Sequence, residues 1–360
     1  MHTSRLFRLA AGAGILSLAL AACGGESDGD SGDDNGSQAA AEGSEGSDSA
    51  EGSDGAEETG SAEGDGEAQP SEVTVEDNNG PQTISLPLES VVATDNRTFE
   101  TLADWDVELS AAAVSLMPDT ISYASDDSIV DLGNHREPNL EAVVSAKPDL
   151  IVNGQRFAQY HDDLAKYAPD AVVLELDPRE GEPFDEELRR QISVLGEVFG
   201  KQAEAEQLIG DFDASIERVN AAYQDGDTVM ALITSGGEIG YVAPGVGRTL
   251  GPAFDIFGLT PALEVEGSED HQGDDISVEA IAESNPDWIL VMDRDAAVAA
   301  DDPNYSPAAE VLEDSEALQN VTAIQEGNLV YMPADTYTNE GIQTYTEFFN
   351  TLADALEAKN

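Results

Sequence analysis

Two segments of the chain, residues 139–156 and 277–294, align without a gap and lie 138 positions apart. Each begins with a residue suited to capping a helix N-terminus, followed by apolar residues at helical spacing. A Pro-Asp break then precedes a short apolar strand. Each segment ends on an arginine, Arg156 or Arg294, just beyond that strand. Because ligands of open α/β sheets bind beyond the carboxyl ends of strands, the pair predicts two lobes that face one anionic ligand.

Alternating helical and strand patterns surround both segments and predict an α/β lobe at residues 73–184 and another at 223–360. The connecting residues 185–222 keep their apolar positions at helical spacing, and no flexible Gly/Ser linker separates the halves. Gly200 is suited to ending a helix, so two consecutive helices are expected here. The predicted architecture is two α/β lobes joined by a long rigid helix, with the ligand cleft between them.

Smaller patterns complete this prediction. Residues 73–88 are expected to form a strand pair, and residues 229–234 a strand followed by a turn at Gly236-Gly237. A weak strand pattern covers residues 121–123, and helical spacing covers residues 311–318.

The first 72 residues are expected to lie outside the folded lobes. Residues 1–22 combine two arginines with an apolar stretch too short to span a bilayer, which is typical of a removable signal peptide. Cys23 is the only cysteine, which excludes a disulfide framework and a cysteine-based metal site. Residues 24–72 are rich in Gly, Ser, Asp and Glu and contain no Lys or Arg, so a disordered acidic linker is expected.

The chain carries a formal net charge of −59, from 74 acidic and 15 basic residues. This charge argues against nucleic acid as a partner. It favours solubility at high salt, where self-repulsion is screened. Because acidic residues are so frequent, paired carboxylates carry no specific signal for catalysis.

Arginines near strand ends stand out against this acidic background. Arg156 and Arg294 end the repeated segments, and Arg248 lies in a glycine-rich loop before a helix pattern. Arginine is always charged and presents forked donors that suit anionic oxygens. The three are therefore predicted to converge on one anionic ligand; the alternative is that each pairs with a surface carboxylate.

Signals for catalysis are weak. His135, His161 and His271 show no close spacing of the kind that holds a metal on a helix. The sequence contains neither the Gly-x-Ser-x-Gly elbow of a hydrolase nor a phosphate-binding Walker loop. An enzyme is therefore not expected.

Glu141 and Glu279 occupy equivalent places in the first turn of each repeated helix. An acidic residue there stabilises the helix dipole, which is a sufficient structural reason. The alternative is that equivalent glutamates on two lobes dock a partner with two-fold symmetry.

The motifs at residues 133–141 and 147–151 resemble the iron-siderophore receptors of bacterial ABC importers, which are substrate-binding proteins of the helical-backbone class III. The resemblance covers roughly residues 80–358 and is closest to the catecholate and petrobactin branch. In that branch three arginines line the cleft, and the matching positions are Arg156, Arg248 and Arg294. The resemblance also implies that His271 and Tyr337 contact the ligand and lend donors to its iron.

The resemblance extends to partners. The family docks its transmembrane permease through one glutamate per lobe, matching Glu141, or Glu137 close to it, and Glu279. The sequence Leu20-Ala21-Ala22-Cys23 resembles the lipobox of bacterial lipoproteins, which implies a lipid anchor on Cys23; an ordinary signal peptide is the alternative. The implied protein is an extracytoplasmic monomer without an intrinsic cofactor, delivering a ferric siderophore to its permease.

Three further hypotheses remain open from the sequence. A receptor of the same fold for haem, cobalamin or a metal ion is one, although the three arginines disfavour a bare metal. A surface α/β hydrolase is the second, and the missing nucleophile motif disfavours it. An acidic cell-wall spacer without a ligand is the third, and the large patterned core disfavours it.

Overall fold

A computed structural model describes residues 70–133 and 136–359. The strands are β1 (Glu72–Asp77), β2 (Gly80–Ser85), β3 (Val91–Ala93), β4 (Ala111–Ala112), β5 (Val130–Asp131), β6 (Leu150–Asn153), β7 (Val172–Glu175), β8 (Thr228–Ser235), β9 (Glu238–Val242), β10 (Thr260–Pro261), β11 (Asp274–Asp275), β12 (Trp288–Asp293) and β13 (Leu329–Tyr331).

The α-helices are α1 (Phe99–Asp104), α2 (Leu140–Ala146), α3 (His161–Tyr167), α4 (Phe184–Phe199), α5 (Gln202–Ala222), α6 (Gly251–Phe257), α7 (Val278–Ser284), α8 (Arg294–Val298), α9 (Ala308–Glu313), α10 (Thr322–Glu326) and α11 (Ile342–Glu357). Short 3₁₀ turns cover Val114–Leu116, Ser122–Ser125, Gln155–Tyr160 and Thr336–Thr338.

Each lobe is built on its own sheet. The first-lobe sheet has the order β5-β4-β3-β6-β7, and all its strand pairs are parallel. The second-lobe sheet has the order β11-β9-β8-β12-β13, with β10 beside β8. Strands β8, β10, β12 and β13 run parallel, whereas β9 and β11 pair antiparallel. The predicted two α/β lobes are confirmed.

The repeat seen in the sequence is also a repeat of backbone register. Val91 of β3 pairs with Leu150 of β6, and Val229 of β8 pairs with Trp288 of β12. Both members of the second pair lie 138 positions after those of the first. Because the central strand pair is reproduced as well as the motif, the same two-strand frame stands at the centre of both lobes.

The repeated helices begin in the same way. The side chain of Asn139 accepts a hydrogen bond from the amide of Ala142, and that of Ser277 accepts one from Ala280, each 3.1 Å long. These caps satisfy a backbone donor that the first turn of a helix otherwise leaves free. The ends of the two helices match too, because the residue after each helix adopts the left-handed backbone conformation.

The Pro-Asp break has a structural task in both lobes. The carboxylate of Asp149 accepts the amides of Glu89 and Ser90 at 2.6 and 2.9 Å, where the chain enters β3. The carboxylate of Asp287 accepts the amide and the hydroxyl of Thr228 at 2.8 Å, where β8 begins. Each aspartate therefore fixes the start of the neighbouring strand and thereby the register of the central pair.

Helices α4 and α5 follow each other at the predicted place. Gly200 ends α4 with a φ of 66°, in the left-handed region that favours glycine. Helix α5 packs against α11, where the rings of Phe212 and Phe349 lie 5.7 Å apart. One apolar cluster runs from the first sheet through α4, α5 and α11 to the second sheet, so the connection is part of the core.

Some local predictions were wrong. Residues 121–123 do not form a strand: Ser122–Ser125 is a 3₁₀ turn in which Tyr123 is buried and donates its hydroxyl to the carbonyl of Val107. The helix expected at 311–318 is Ala308–Glu313 instead, because a proline precedes its first turn and polar residues follow its last. Strand β9 was not foreseen.

The signal peptide, Cys23, nearly all of the acidic linker and His135 lie outside the described residues. Within the described residues, no helix is both long enough and apolar enough to cross a membrane.

Candidate functional site

Three guanidinium groups surround one buried tyrosine at the carboxyl ends of the central strands. Tyr337, in the 3₁₀ turn Thr336–Thr338, is only 5% exposed. The guanidinium carbons of Arg156, Arg248 and Arg294 lie 5.2, 4.6 and 4.8 Å from its ring centroid. These distances are those of cation–π contacts. The structure thus brings together the three arginines and the tyrosine named from the sequence.

The repeat explains two of these positions. Arg156 lies in the turn that follows β6, and Arg294 is the first residue of α8, directly after β12. The carboxylate of Asp293 caps α8 by accepting the amide of Ala296 at 3.0 Å. Equivalent strand ends therefore place one arginine from each lobe at the same tyrosine.

Arg248 reaches the site from the loop between β9 and α6. That loop folds tightly onto its own strand, and a Cβ on Gly247 would lie 2.6 Å from the amide nitrogen of Ala243. Only glycine fits this close approach. The glycine pattern around Arg248 is therefore a packing requirement that sets the arginine's position.

Glu340 is a buried carboxylate that joins the arginines of both lobes. Its side chain is 1% exposed and accepts a hydrogen bond from Arg248 Nε at 3.1 Å and another from the hydroxyl of Thr249. Arg97, which follows β3 in the first lobe, lies 3.5 Å from the Glu340 carboxylate. Gln155 donates a hydrogen bond to the same carboxylate at 3.4 Å. Burial would raise the pKa of Glu340, but the charges of Arg248 and Arg97 bring it below its ordinary value.

A second carboxyl pair lies on the far side of Arg97. Arg97 Nη1 bonds Asp177 at 3.1 Å, and the backbone amide of Arg97 donates to Asp95 at 2.9 Å. Burial, together with the charge of Asp177, raises the pKa of Asp95 to about 7. The floor of the site is therefore a charged network rather than an apolar pocket.

Arg294 is held by its own neighbours. Its Nη1 donates to Asp295 at 3.0 Å and to the hydroxyl of Ser235 at 3.3 Å. Gln272 donates to the same hydroxyl at 3.0 Å. The loop that contains His271 is thereby linked to the arginine cluster through Gln272.

The environment of Tyr337 lowers the pKa of its phenol. Burial by itself raises the pKa of the phenol, but hydrogen bonds from Arg294 and Arg156 and the charge of Arg248 outweigh it. The pKa of Tyr337 is consequently lowered from its ordinary value.

Within the described part of the chain, several buried polar atoms at this site have no hydrogen-bond partner. Arg248 Nη2 and Arg294 Nε are both buried without a hydrogen bond, as are both polar atoms of the Asn96 side chain beside Arg97. A buried polar group without a partner costs about 1–3 kcal/mol. Anionic or carbonyl oxygens of a ligand would supply what the arginine donors lack.

The other predicted residues lie elsewhere. His271 is 52% exposed and lies 3.8 Å from Asp270, in the loop before β11. Glu141 and Glu279 are exposed in the first turns of α2 and α7, as expected from the repeat. Among the described residues, no group of three or more His, Cys, Asp or Glu is placed to hold a metal ion.

Arg97, Glu340 and Asp295 were missed in the sequence. Arg97 had a usable signal, because it follows the apolar residues of β3 as Arg156 follows those of β6. The two acids had none, because 74 acidic residues conceal any two that matter.

The chain is similar to several known binding proteins. The petrobactin-binding protein YclQ of Bacillus subtilis is 25% identical over 299 residues, which cover 81% of this chain and 90% of YclQ. The ferric-anguibactin-binding protein FatB of Vibrio anguillarum is 27% identical, over 75% of this chain and 83% of FatB. The catecholate-siderophore binding protein VctP of Vibrio cholerae superposes with a TM-score of 0.68, covering 80% of this chain and 99% of VctP, at 24% identity.

The family model for periplasmic binding proteins matches residues 91–336. That range includes β3, β12 and the three arginines, and it ends one residue before Tyr337. The chain belongs to the periplasmic binding protein family.

Proposed function

We propose that this protein captures a ferric siderophore between its two lobes and delivers it to an ABC permease for iron uptake. The observation that carries the proposal is the set of three guanidinium groups within 5.2 Å of the Tyr337 ring centroid. In a chain with a net charge of −59, such a cluster is a local exception that suits an anionic ligand. The named relatives bind petrobactin and ferric anguibactin.

The chemistry of the ligand fits the site. Ferric iron is a hard ion that catecholate, hydroxamate and carboxylate oxygens bind well, and catecholate complexes of it are bulky anions. Buried arginine donors without partners can bind the outer oxygens of such a complex. A catecholate or mixed catecholate–carboxylate siderophore is therefore the proposed class.

Tyr337 and His271 are proposed as further ligand contacts, with donors for iron where the siderophore leaves coordination positions open. The surrounding arginines lower the pKa of Tyr337, and a phenol oxygen that binds iron is a hard donor. His271 is exposed at the surface in this structure. Its role therefore requires the loop at 270–273 to turn toward the ligand.

Delivery requires a second surface. Glu141 and Glu279 are exposed on equivalent helices of the two lobes and are proposed to dock the permease, one per lobe. A lipid on Cys23 and the acidic linker would tether the protein, as a monomer, on the outer side of the cell membrane. Its task would be binding and transfer, without catalysis and without an intrinsic cofactor.

Direct titration tests the proposal. The purified protein is titrated with ferric petrobactin, ferric enterobactin, a ferric tris-hydroxamate and haem, with intrinsic Trp and Tyr fluorescence as the readout. Saturable quenching by a ferric catecholate at submicromolar concentration supports the proposal. Binding of haem alone would support a haem receptor of the same fold, and no response to any ferric siderophore would refute the proposal.

A further inference from the structure

The arginines of the site are accompanied by carboxylates that offset their charge. Glu340 binds Arg248 at 3.1 Å and lies 3.5 Å from Arg97, with almost no exposure to solvent. Because it is buried between two arginines, salt and water screen it poorly. Its negative charge is therefore only weakly screened for any anion bound beside Arg248.

Asp295 offsets the charge of an arginine in the second lobe. It binds Arg294 at 3.0 Å and also accepts the amide of Gly236, and its side chain is 16% exposed. Its position directly after Arg294 in α8 means that the helix presents the arginine and its counter-charge together.

The charges at the site can be counted. Four guanidinium groups (Arg97, Arg156, Arg248 and Arg294) meet the carboxylates of Glu340, Asp295 and Asp177. The sum is one positive charge. Burial and the charge of Asp177 raise the pKa of Asp95 to about 7, and burial raises the pKa of Glu175 to about 7, so neither carboxyl lowers this sum appreciably below neutral pH.

We propose that Glu340 and Asp295 are specificity-determining residues that limit the negative charge of the complex this site accepts. The cleft then prefers a ferric complex with about one net negative charge to one with three. This inference rests on the proposed function and narrows its substrate class. The physical reason is that one net positive charge cannot compensate three negative charges inside an acidic protein.

Coulomb's law gives the expected change in the relative affinity for the two complexes. A carboxylate several ångströms from the ligand repels the complex with three negative charges more than the complex with one. At an effective dielectric constant near 20, removing that carboxylate should shift the ratio of the two affinities by at least about tenfold toward the more negative complex. Glu340→Gln and Asp295→Asn each remove one negative charge and keep the shape of the side chain. Asp170→Asn is the matched control, because Asp170 is exposed just before β7, at the opposite edge of the sheet.

The test compares two iron complexes of the same chemistry at about pH 6. Ferric enterobactin, a hexadentate tris-catecholate complex, carries three net negative charges, and the ferric complex of a tetradentate bis-catecholate carries one. Dissociation constants for both are measured by fluorescence quenching with the full chain and its variants. The wild type is expected to bind the bis-catecholate more tightly. Both site variants are expected to shift the ratio at least about tenfold toward the tris-catecholate, with Asp170→Asn unchanged.

The outcomes separate the two proposals. If the wild type binds neither complex, the proposed function itself fails. If it binds a ferric catecholate but prefers the tris-catecholate, or if the ratio does not move in the variants, only the charge limit is overturned. Should Glu340→Gln not fold, as judged by circular dichroism, the partly exposed Asp295→Asn decides the question alone.

Discussion

The two lobes carry different side chains at equivalent positions of their central strands. Asn153 ends β6 beside Glu175 of β7, and Val291, 138 positions later, lies in β12 beside Tyr331 of β13. Asn153 and Val291 are both fully buried. The first lobe thus places a polar pair where the second lobe places an apolar one.

The contacts show what this difference does. Asn153 accepts from the hydroxyl of Thr94 at 2.6 Å and donates to Glu175 at 2.7 Å and to the carbonyl of Phe157 at 3.2 Å. The last bond anchors the turn that contains Arg156. Val291 packs instead in an apolar cluster of the second lobe. The repeat therefore specifies the backbone, and individual side chains decide whether a strand end is packed for stability or used to orient a ligand-binding turn.

Asn153→Val would give the first lobe the side chain that the second lobe has at the equivalent position. It has the largest expected effect on stability. It leaves the Glu175 carboxyl buried without its donor and the Phe157 carbonyl without its partner. The free energy of unfolding should fall by about 3–5 kcal/mol in urea denaturation. Val291→Ala, a simple truncation at the equivalent site, should cost only about 2 kcal/mol. Equal losses in the two variants would contradict a special role for the polar pair.

Glu175→Gln changes the other residue of the polar pair, the carboxyl that accepts the hydrogen bond from Asn153. Burial raises the pKa of Glu175 to about 7 from 4.5, in spite of the hydrogen bond from Asn153. The folded protein therefore binds this proton more tightly than the unfolded chain. The stability this group contributes is full below about pH 4.5 and is lost as the pH rises toward 7.

The variant cannot ionise and should be more stable than the wild type at about pH 8, by roughly 1–3 kcal/mol. The difference should shrink toward zero near pH 4.5 in the same urea titrations. Val291→Ala changes no titratable group, so its gap to the wild type should stay constant across the series. A Glu175→Gln gap that does not depend on pH would show that the carboxyl is already ionised throughout.

Much of the fold could be predicted because the signals are local. Capping residues, Pro-Asp breaks and the glycine after α4 act within a few residues of the chain, and each appears in the structure as expected. Strand β9 was missed although Gly236-Gly237 is a favourable hairpin turn, with φ of 62° and 78°. The two glycines were predicted as a turn, but the short strand after them contains a glycine that weakens its pattern.

The site could be predicted only in part, for a physical reason. Arginines are rare in this chain, so three near strand ends could be recognised and do meet at Tyr337. The role of Glu340 depends on three-dimensional proximity to Arg97 and Arg248, which lie 243 and 92 positions away in the sequence. No local pattern encodes such a contact.

The central claim is that one arginine from each repeated unit binds the same anionic ferric complex. The most direct measurement is the dissociation constant of a ferric catecholate siderophore for Arg156→Ala and Arg294→Ala, beside Arg218→Ala as a control. Arg218 of α5 pairs with Asp354 and Glu357 of α11. Each cleft variant should bind roughly 100-fold more weakly, and the control should bind like the wild type. Wild-type affinity in either cleft variant would contradict the account.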